Sequence, residues 1–368
     1  MNILLLGGTG TLSSAVRDLS LKKGHQVAVF NRGNSINSLP HGVKTFVGDF
    51  RNTEILKKCF STSNFDVVVD FLSRTKPDIE RTFPIFQGKC KQYIFISSAC
   101  VYQRTNTGEA LTEDAAKPNH DWNYSVEKYE CEECLKKFSH QNSYTSYTII
   151  RPYITYDDER IPLGITPFPY RLHRTIIERI KAGKPWFVWD GGHQITTVTH
   201  TSDFAVGVVG LFLNSKAMNE DFHITGDDSC TQLQLIESVY GKLHILPNII
   251  NVRTDEMCKS LQEYKGMLVA DRALNAIFDN TKIKSVVPEL RFETSIDKGL
   301  DQVLKYWENS KDYIYDYKFE GRIDRLLSKQ NKISYVKYPN DHHNSHLVYC
   351  LYRYLPLRLA SRIAKYVK

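Results

Sequence analysis

No segment of this chain is long and apolar enough to span a bilayer as a helix. The longest apolar run of note, Phe204 to Leu213, covers ten residues, about half of what a spanning helix needs. Met1 leads straight into apolar residues with no basic stretch before them, so no secretory leader is expected and the chain is placed in the cytoplasm. The eight cysteines are scattered. Their one close pair, Cys131 and Cys134, has no second pair and no clustered histidine beside it. Neither a disulfide framework nor a bound metal is expected, and the pair reads as small packing residues on a helix. Acidic residues are missing from His343 to Lys368, where Arg353, Arg358, Arg362, Lys365 and Lys368 stand unopposed. Five of the net seven positive charges therefore sit in the tail. The remainder is near neutral, and no nucleic-acid partner is required. Internal repeats, low-complexity tracts and long linkers are absent too.

What is present is an ordinary globular composition, 42% hydrophobic and 24% charged over 368 residues, with length enough for a large core and two domains. The chain is organised around Met1 to Ser13, MNILLLGGTGTLS. Ile3 to Leu6 read as a buried strand that Gly7-Gly8-Thr9-Gly10 breaks at once, the usual entry to a phosphate-binding turn. Gly7 permits the sharp turn, Gly10 lets backbone approach a pyrophosphate, and Ser13 takes the small-residue place where helix lies on strand. A helix over about Thr11 to Lys23 would aim its first N–H groups, those of Thr11 and Leu12 included, at the phosphates. A second strand, Gln26 to Phe30, completes a βαβ unit and ends at Asn31-Arg32-Gly33. A neutral residue followed by arginine suits a 2′-phosphate, so the tip favours NADP(H), with NAD(H) as the alternative. Arg32 stacked on adenine, or simply solvated, explains the same residues.

Further strands are expected at Thr45 to Val47, Phe65 to Asp70 and Gln92 to Ile96, with helices from about Thr53 and over Asp78 to Phe86. Asp49 and Phe50 follow the third strand, where they could flank an adenine, with Asp49 also capping the next helix. Phe71 follows the fourth. The alternation predicts a doubly wound parallel sheet. The fifth strand runs into Ser97-Ser98-Ala99-Cys100-Val101-Tyr102, and Tyr124-Ser125-Val126-Glu127-Lys128 stands further on. Tyr124 and Lys128, four apart, share one helical face, so an ammonium lies next to a phenol and favours its ionised form. Tyr124 then becomes a usable acid/base, and Ser98, at the carboxyl end of a parallel strand, could bond the same substrate oxygen. A strand Tyr147 to Ile150 leads into Arg151-Pro152-Tyr153.

In this order and spacing the residues resemble the short-chain dehydrogenase/reductase superfamily, in its extended branch of NAD-dependent epimerases and dehydratases, over about Met1 to Glu308. The resemblance implies an α/β Rossmann-type domain at 1–155, a smaller α+β substrate domain at 156–311 with some strands returning to the first, and a C-terminal extension at 312–368. It implies Tyr124 as catalytic acid/base, Lys128 as the group that binds the nicotinamide ribose and lowers the Tyr124 pKa, and Ser98 as the residue orienting the substrate. Gly7, Thr9, Gly10, Thr11, Leu12, Asn31, Arg32, Asp49, Phe50, Phe71, Lys128 and Tyr153 are the expected cofactor shell. Ser13 departs from the family's glycine motif, and with the Asn31-Arg32-Gly33 tip it resembles the atypical subgroup near the chloroplast stem-loop RNA-binding proteins.

The expected activity is nucleotide-sugar epimerisation through a transient keto-sugar. A 4,6-dehydratase would need an acid pair after Ser98, where Ala99 and Cys100 stand instead. Cys100 occupies the place at which the similar GDP-fucose synthases carry an acid/base cysteine, which makes an NADPH-dependent keto-sugar reductase the first alternative. A small buried residue is the plainer explanation of Cys100. The alternative of another class is a non-catalytic RNA-binding relative. Arg171 and Arg174, on a basic stretch ending at Lys184, are candidates for holding the nucleotide diphosphate, and a homodimer is expected. Leu359, Ile363 and Val367 recur at helical spacing beside Arg358, Arg362 and Lys365, a basic amphipathic helix expected to pack on the body or a second subunit rather than on an acidic membrane.

Overall fold

The computed structural model describes residues 1–34, 39–104, 107–140, 144–311, 314–329, 332–339 and 344–367. Asp312, His343 and Lys368, which the expected extension and its charge count include, lie outside the described residues. The chain divides into two compact units. The first comprises Met1–Asp157, Thr197–Ser229 and Ala276–Ser295, the second Asp158–Thr196, Cys230–Asn275 and Ile296–Lys368.

The first unit is built on a parallel sheet whose strands are β1 (Asn2–Leu6), β2 (Gln26–Asn31), β3 (Lys44–Val47), β4 (Phe65–Asp70), β5 (Cys90–Ile96), β6 (Ser146–Pro152) and the later strand Glu220–Ile224. Their spatial order is β3-β2-β1-β4-β5-β6 and then Glu220–Ile224, all parallel. The central strands read as unbroken apolar runs because both faces of the sheet are covered. Ile3, Leu5, Val29, Val67 and Ile94 pack on Val16 of α1 (Thr11–Lys22) and on Phe204 and Val208 of the helix Thr201–Gly210. Leu4, Leu6, Phe30, Val68 and Phe95 face the other way, onto Leu56 and Phe60 of α2 (Thr53–Phe60), Phe83 of α3 (Lys76–Phe86) and Leu135 of α4 (Asn123–His140). The strand order reverses between β1 and β4, and the loops after those two strands are where such a sheet leaves a crevice.

One helix start differs from expectation. Asn52, not Asp49, caps α2, its side-chain oxygen accepting from the amides of Glu54 and Ile55 at 3.1 Å each, while Asp49 accepts from the Arg51 amide at 2.9 Å. Ahead of Phe204 the capping side chain is that of His200, and Asp203 is turned to the amides of Glu293 and Thr294. Cys131 and Cys134 lie on α4 as small, unlinked residues facing the core.

In the second unit the buried strand Trp186–Trp189 pairs in parallel with Ile249–Val252. The basic stretch before it turns two of its cations inward. Arg179 and Lys184 are buried, and they meet Glu320 and Asp324 of the helix Tyr317–Leu327. Arg179 reaches the two carboxylates at 2.9 and 2.8 Å, Lys184 at 2.6 and 2.5 Å. Tyr338 and Tyr349 each donate a hydroxyl to the same pair of acids. Residues of the expected extension are thus tied into this unit by a buried ion cluster. No spacing rule couples residues 179 and 324, so only the folded chain reveals it. The terminal helix Leu357–Ala364 packs through Ala360 and Ala364, with Val367 just beyond its end, onto Leu351 and Tyr352. Leu359 and Ile363, expected to face the body, stay 44% and 37% exposed. Small alanines permit the closer helix approach, and the larger side chains are left outside.

Candidate active site

The turn after β1 is shaped by two glycines in the left-handed region, Gly7 at φ +113° and Gly8 at φ +108°. Gly8, absent from the expected shell, is the tighter of the two. A Cβ on it would stand 2.5 Å from Val29 Cγ1 of the neighbouring strand. Gly10 needs no unusual φ, and a Cβ there would meet only the Ser13 hydroxyl, at 3.6 Å. Ser13 does more than leave room. Its Oγ accepts from the amides of Gly8 at 3.1 Å and Gly10 at 3.0 Å, so the turn is braced from within. The amides of Thr11 and Leu12, in the first turn of α1, have no partner among the described residues.

Beside this turn lies a cavity of about 600 Å³. Its wall includes Gly7, Thr9, Gly10 and Ser13, then Asn31 and Arg32 at the tip of β2, Asp49 and Phe50 after β3, and Phe71 after β4. Arg51 and Arg74, two residues not foreseen, also line it. Asn31 accepts from the Gly33 amide at 2.8 Å through Oδ1, while its buried Nδ2 is left without a partner. An orphaned amide, unpaired helix-start N–H groups and a glycine turn along one cavity fit a dinucleotide phosphate and ribose. Tyr153 is not part of that wall. It is buried with the Arg104 guanidinium 4.8 Å above its ring and Phe278 against it.

Further along the same sheet edge α4 brings Lys128 to the ends of two strands. Its Nζ donates to the carbonyl of Ser73, just after β4, at 2.8 Å and to that of Ile96, the last residue of β5, at 3.0 Å. Complete burial pushes the Lys128 ammonium below its ordinary value. Ser98, two residues beyond Ile96, accepts from the Cys100 amide at 3.2 Å, and its own hydroxyl proton has no acceptor among the described residues. Cys100 is buried in the short helical turn Ala99–Val101. Tyr124, one turn before Lys128 on α4, is half-buried with its ring 4.9 Å from that of Trp122.

The clamp holding these parts was not foreseen. Glu132, one turn beyond Lys128, accepts from the Ser97 hydroxyl at 2.5 Å and from Arg151 of β6 at 3.0 and 2.8 Å. Arg151 also donates to the Tyr102 hydroxyl at 3.0 Å and pairs with Asp221. α4, β6 and the loop after β5 are therefore locked by one buried, mutually satisfied network. Arg151 was visible as part of the Arg-Pro-Tyr run, but nothing in sequence pointed to Glu132.

In the second unit Arg171 is exposed, but Arg174 is engaged within the fold, pairing with Glu178 at 2.7 Å and donating to the Trp307 carbonyl.

Residues 3–225 match the NAD dependent epimerase/dehydratase family. The chain belongs to that family. Like others of it, this member shares its fold with a Thermus thermophilus UDP-glucose 4-epimerase solved with NAD, at a TM-score of 0.66 and 15% identity over 84% of this chain and 100% of that one. A Bacillus cereus UDP-glucuronic acid 4-epimerase solved with NAD gives a TM-score of 0.64 and 18% identity over 84% and 99%. In sequence, this family member is 31% identical over 244 residues to an Arabidopsis thaliana protein named chloroplast stem-loop binding protein of 41 kDa b, covering 62% of this chain and 60% of that one. A Neisseria meningitidis UDP-glucose 4-epimerase is 39% identical over 80 residues, 19% of this chain and 23% of that enzyme. The chain therefore matches less than two thirds of the length of these curated relatives. No helix is long and apolar enough to cross a membrane among the described residues.

Proposed function

We propose that this family member is an NAD(P)-dependent nucleotide-sugar epimerase that works through a transient keto-sugar. The observation carrying the proposal is the pair of bonds from Lys128 to the ends of β4 and β5, which sets the Tyr124 helix beside Ser98 at the sheet edge that also bears the dinucleotide-shaped cavity. A nicotinamide ring bound there supplies a hydride acceptor that can also give the hydride back. Gly7, Gly10, Asn31 and the first amides of α1 hold the cofactor's phosphates and ribose. Tyr124 takes the proton of the substrate hydroxyl and later returns it. Ser98 donates its free proton to the same oxygen. Lys128, two of whose three donors are engaged, keeps the third for the ribose and holds positive charge near the phenol. Arg32, Arg51 and Arg74 line the cavity together with Asp49, and a phosphate on the adenine ribose would suit these three guanidiniums, whereas Asp49 leaves NAD as the alternative.

The test is incubation of the full chain with NADP or NAD and a panel of UDP-, GDP-, CDP- and dTDP-sugars, followed by product analysis. The expected result is an epimer with no net cofactor change, lost by about 10²–10⁴-fold in Tyr124→Phe while cofactor binding persists. Equal turnover by Tyr124→Phe would refute the assignment. Net consumption of NADPH with keto-sugars would mark the reductase alternative and bring Cys100 into the reaction. The likeness to a protein named for stem-loop binding favours a second reading, a cofactor-binding protein without turnover, and retention of RNA with no product would select it.

A further inference from the structure

The second unit carries a cleft that the proposed reaction does not use. It has a volume of about 570 Å³ and lies among the helices Thr254–Ser260, Tyr317–Leu327, Ser345–Tyr354 and Leu357–Ala364. Five of its lining side chains are cations, Lys259, Arg322, Arg325, Lys329 and Arg358, and none is an acid. Three of the five have carboxylate partners: Lys259 with Asp255 at 3.0 Å, Lys329 with Glu256 at 3.2 Å, and Arg322 with Glu263. The other two do not. Arg325 donates to the neutral carbonyl of Leu355 at 2.7 Å, and exposed Arg358 has no polar partner among the described residues. Apolar surface also lines it, from Tyr352, Leu355 and Leu357.

Converging like charges repel one another unless an anion joins them. Internal pairing explains three of these cations and leaves two guanidiniums lining one volume without a carboxylate partner among the described residues. We propose that this cleft binds a small phosphate-bearing molecule, with its phosphate held by Arg325 and Arg358 and its carbon body lying on Tyr352 and Leu357. Planar guanidinium forks match phosphate oxygens two at a time. The volume is that of a ligand-sized pocket, larger than a lone phosphate needs. Both a soluble phosphorylated metabolite and a lipid headgroup carry this chemistry.

The two sources separate experimentally. Inositol trisphosphate is titrated into the full chain by calorimetry, and phosphatidylcholine vesicles with and without phosphatidylinositol bisphosphate are tested by cosedimentation. Saturable one-to-one binding of the soluble probe is expected, weakened about tenfold or more in Arg358→Gln, since a charge-assisted bond contributes about 1.5–3 kcal/mol. Lys22→Gln, which removes the same charge from α1, should leave it unchanged. Arg358 is exposed and has no polar partner among the described residues, so its replacement does not threaten the fold. Soluble binding without vesicle binding supports a metabolite, and binding of both supports a headgroup. Failure of the soluble probe to bind, with or without vesicle binding, or equal affinity in Arg358→Gln, overturns the proposal.

Discussion

Replacing Gly8 by alanine should damage the cofactor turn in a way that the structure divides into two parts. The first is conformational: at φ +108° an L side chain is strained, at about 1–3 kcal/mol. The second is steric, because the new Cβ would fall 2.5 Å from Val29 Cγ1 and 2.9 Å from Val29 Cβ, with β2 unable to withdraw from a paired register. Overpacking of that kind costs about 1–3 kcal/mol. Together they predict a loss of about 2–6 kcal/mol, which for a unit of about 200 residues lowers Tm by roughly 4–24 °C. Gly7→Ala is the internal control. Its φ of +113° imposes similar strain, but its Cβ would meet Phe71 Cβ at an ordinary 3.4 Å. The difference between the two variants therefore isolates the clash. Adding Val29→Ala to Gly8→Ala should recover part of it, about 1 kcal/mol of favourable coupling in a double-mutant cycle read by calorimetry or urea unfolding. Gly8→Ala melting with the parent protein, or strict additivity with Val29→Ala, would refute the argument.

Two further outcomes follow from the buried charges. Asp324→Ala leaves Arg179 and Lys184 with one acid between them and should destabilise the second unit by about 3–5 kcal/mol, seen as early loss of Trp186 and Trp189 fluorescence burial in urea; an unchanged midpoint would deny the cluster its structural role. His173 accepts from the Ile161 amide at 2.9 Å and its other ring nitrogen bonds the Pro167 carbonyl, so burial holds its pKa down at about 3, while burial brings that of His223 to about 4. Both folded values lie below the unfolded 6.5. The unfolded chain thus binds protons first, and stability falls by about 1.4 kcal/mol per pH unit for each histidine as pH drops from 6.5 towards 4. His173→Gln should reduce that slope by one histidine's share, and an identical slope would count against it.

The cofactor half of the candidate site could be read directly from the chain because its determinants are local. A strand, a glycine turn and a helix start follow one another within Met1 to Ser13, and Tyr124 and Lys128 are one helical turn apart. The alternation of apolar runs and helices likewise specified a parallel sheet, since strands covered on both faces must be apolar throughout. Other assignments came only with the fold. Glu132 and Arg151 meet across α4 and β6, Arg179 and Asp324 across 145 positions, and Asn52 rather than Asp49 finds the amides of α2. Gly8 differs from its neighbours only through Val29 of the adjacent strand. Sequence periodicity records which residues share a face of one element. It carries no record of which element that face will meet, so partners of buried charges and the outward stripe of the terminal helix were decided by tertiary packing alone.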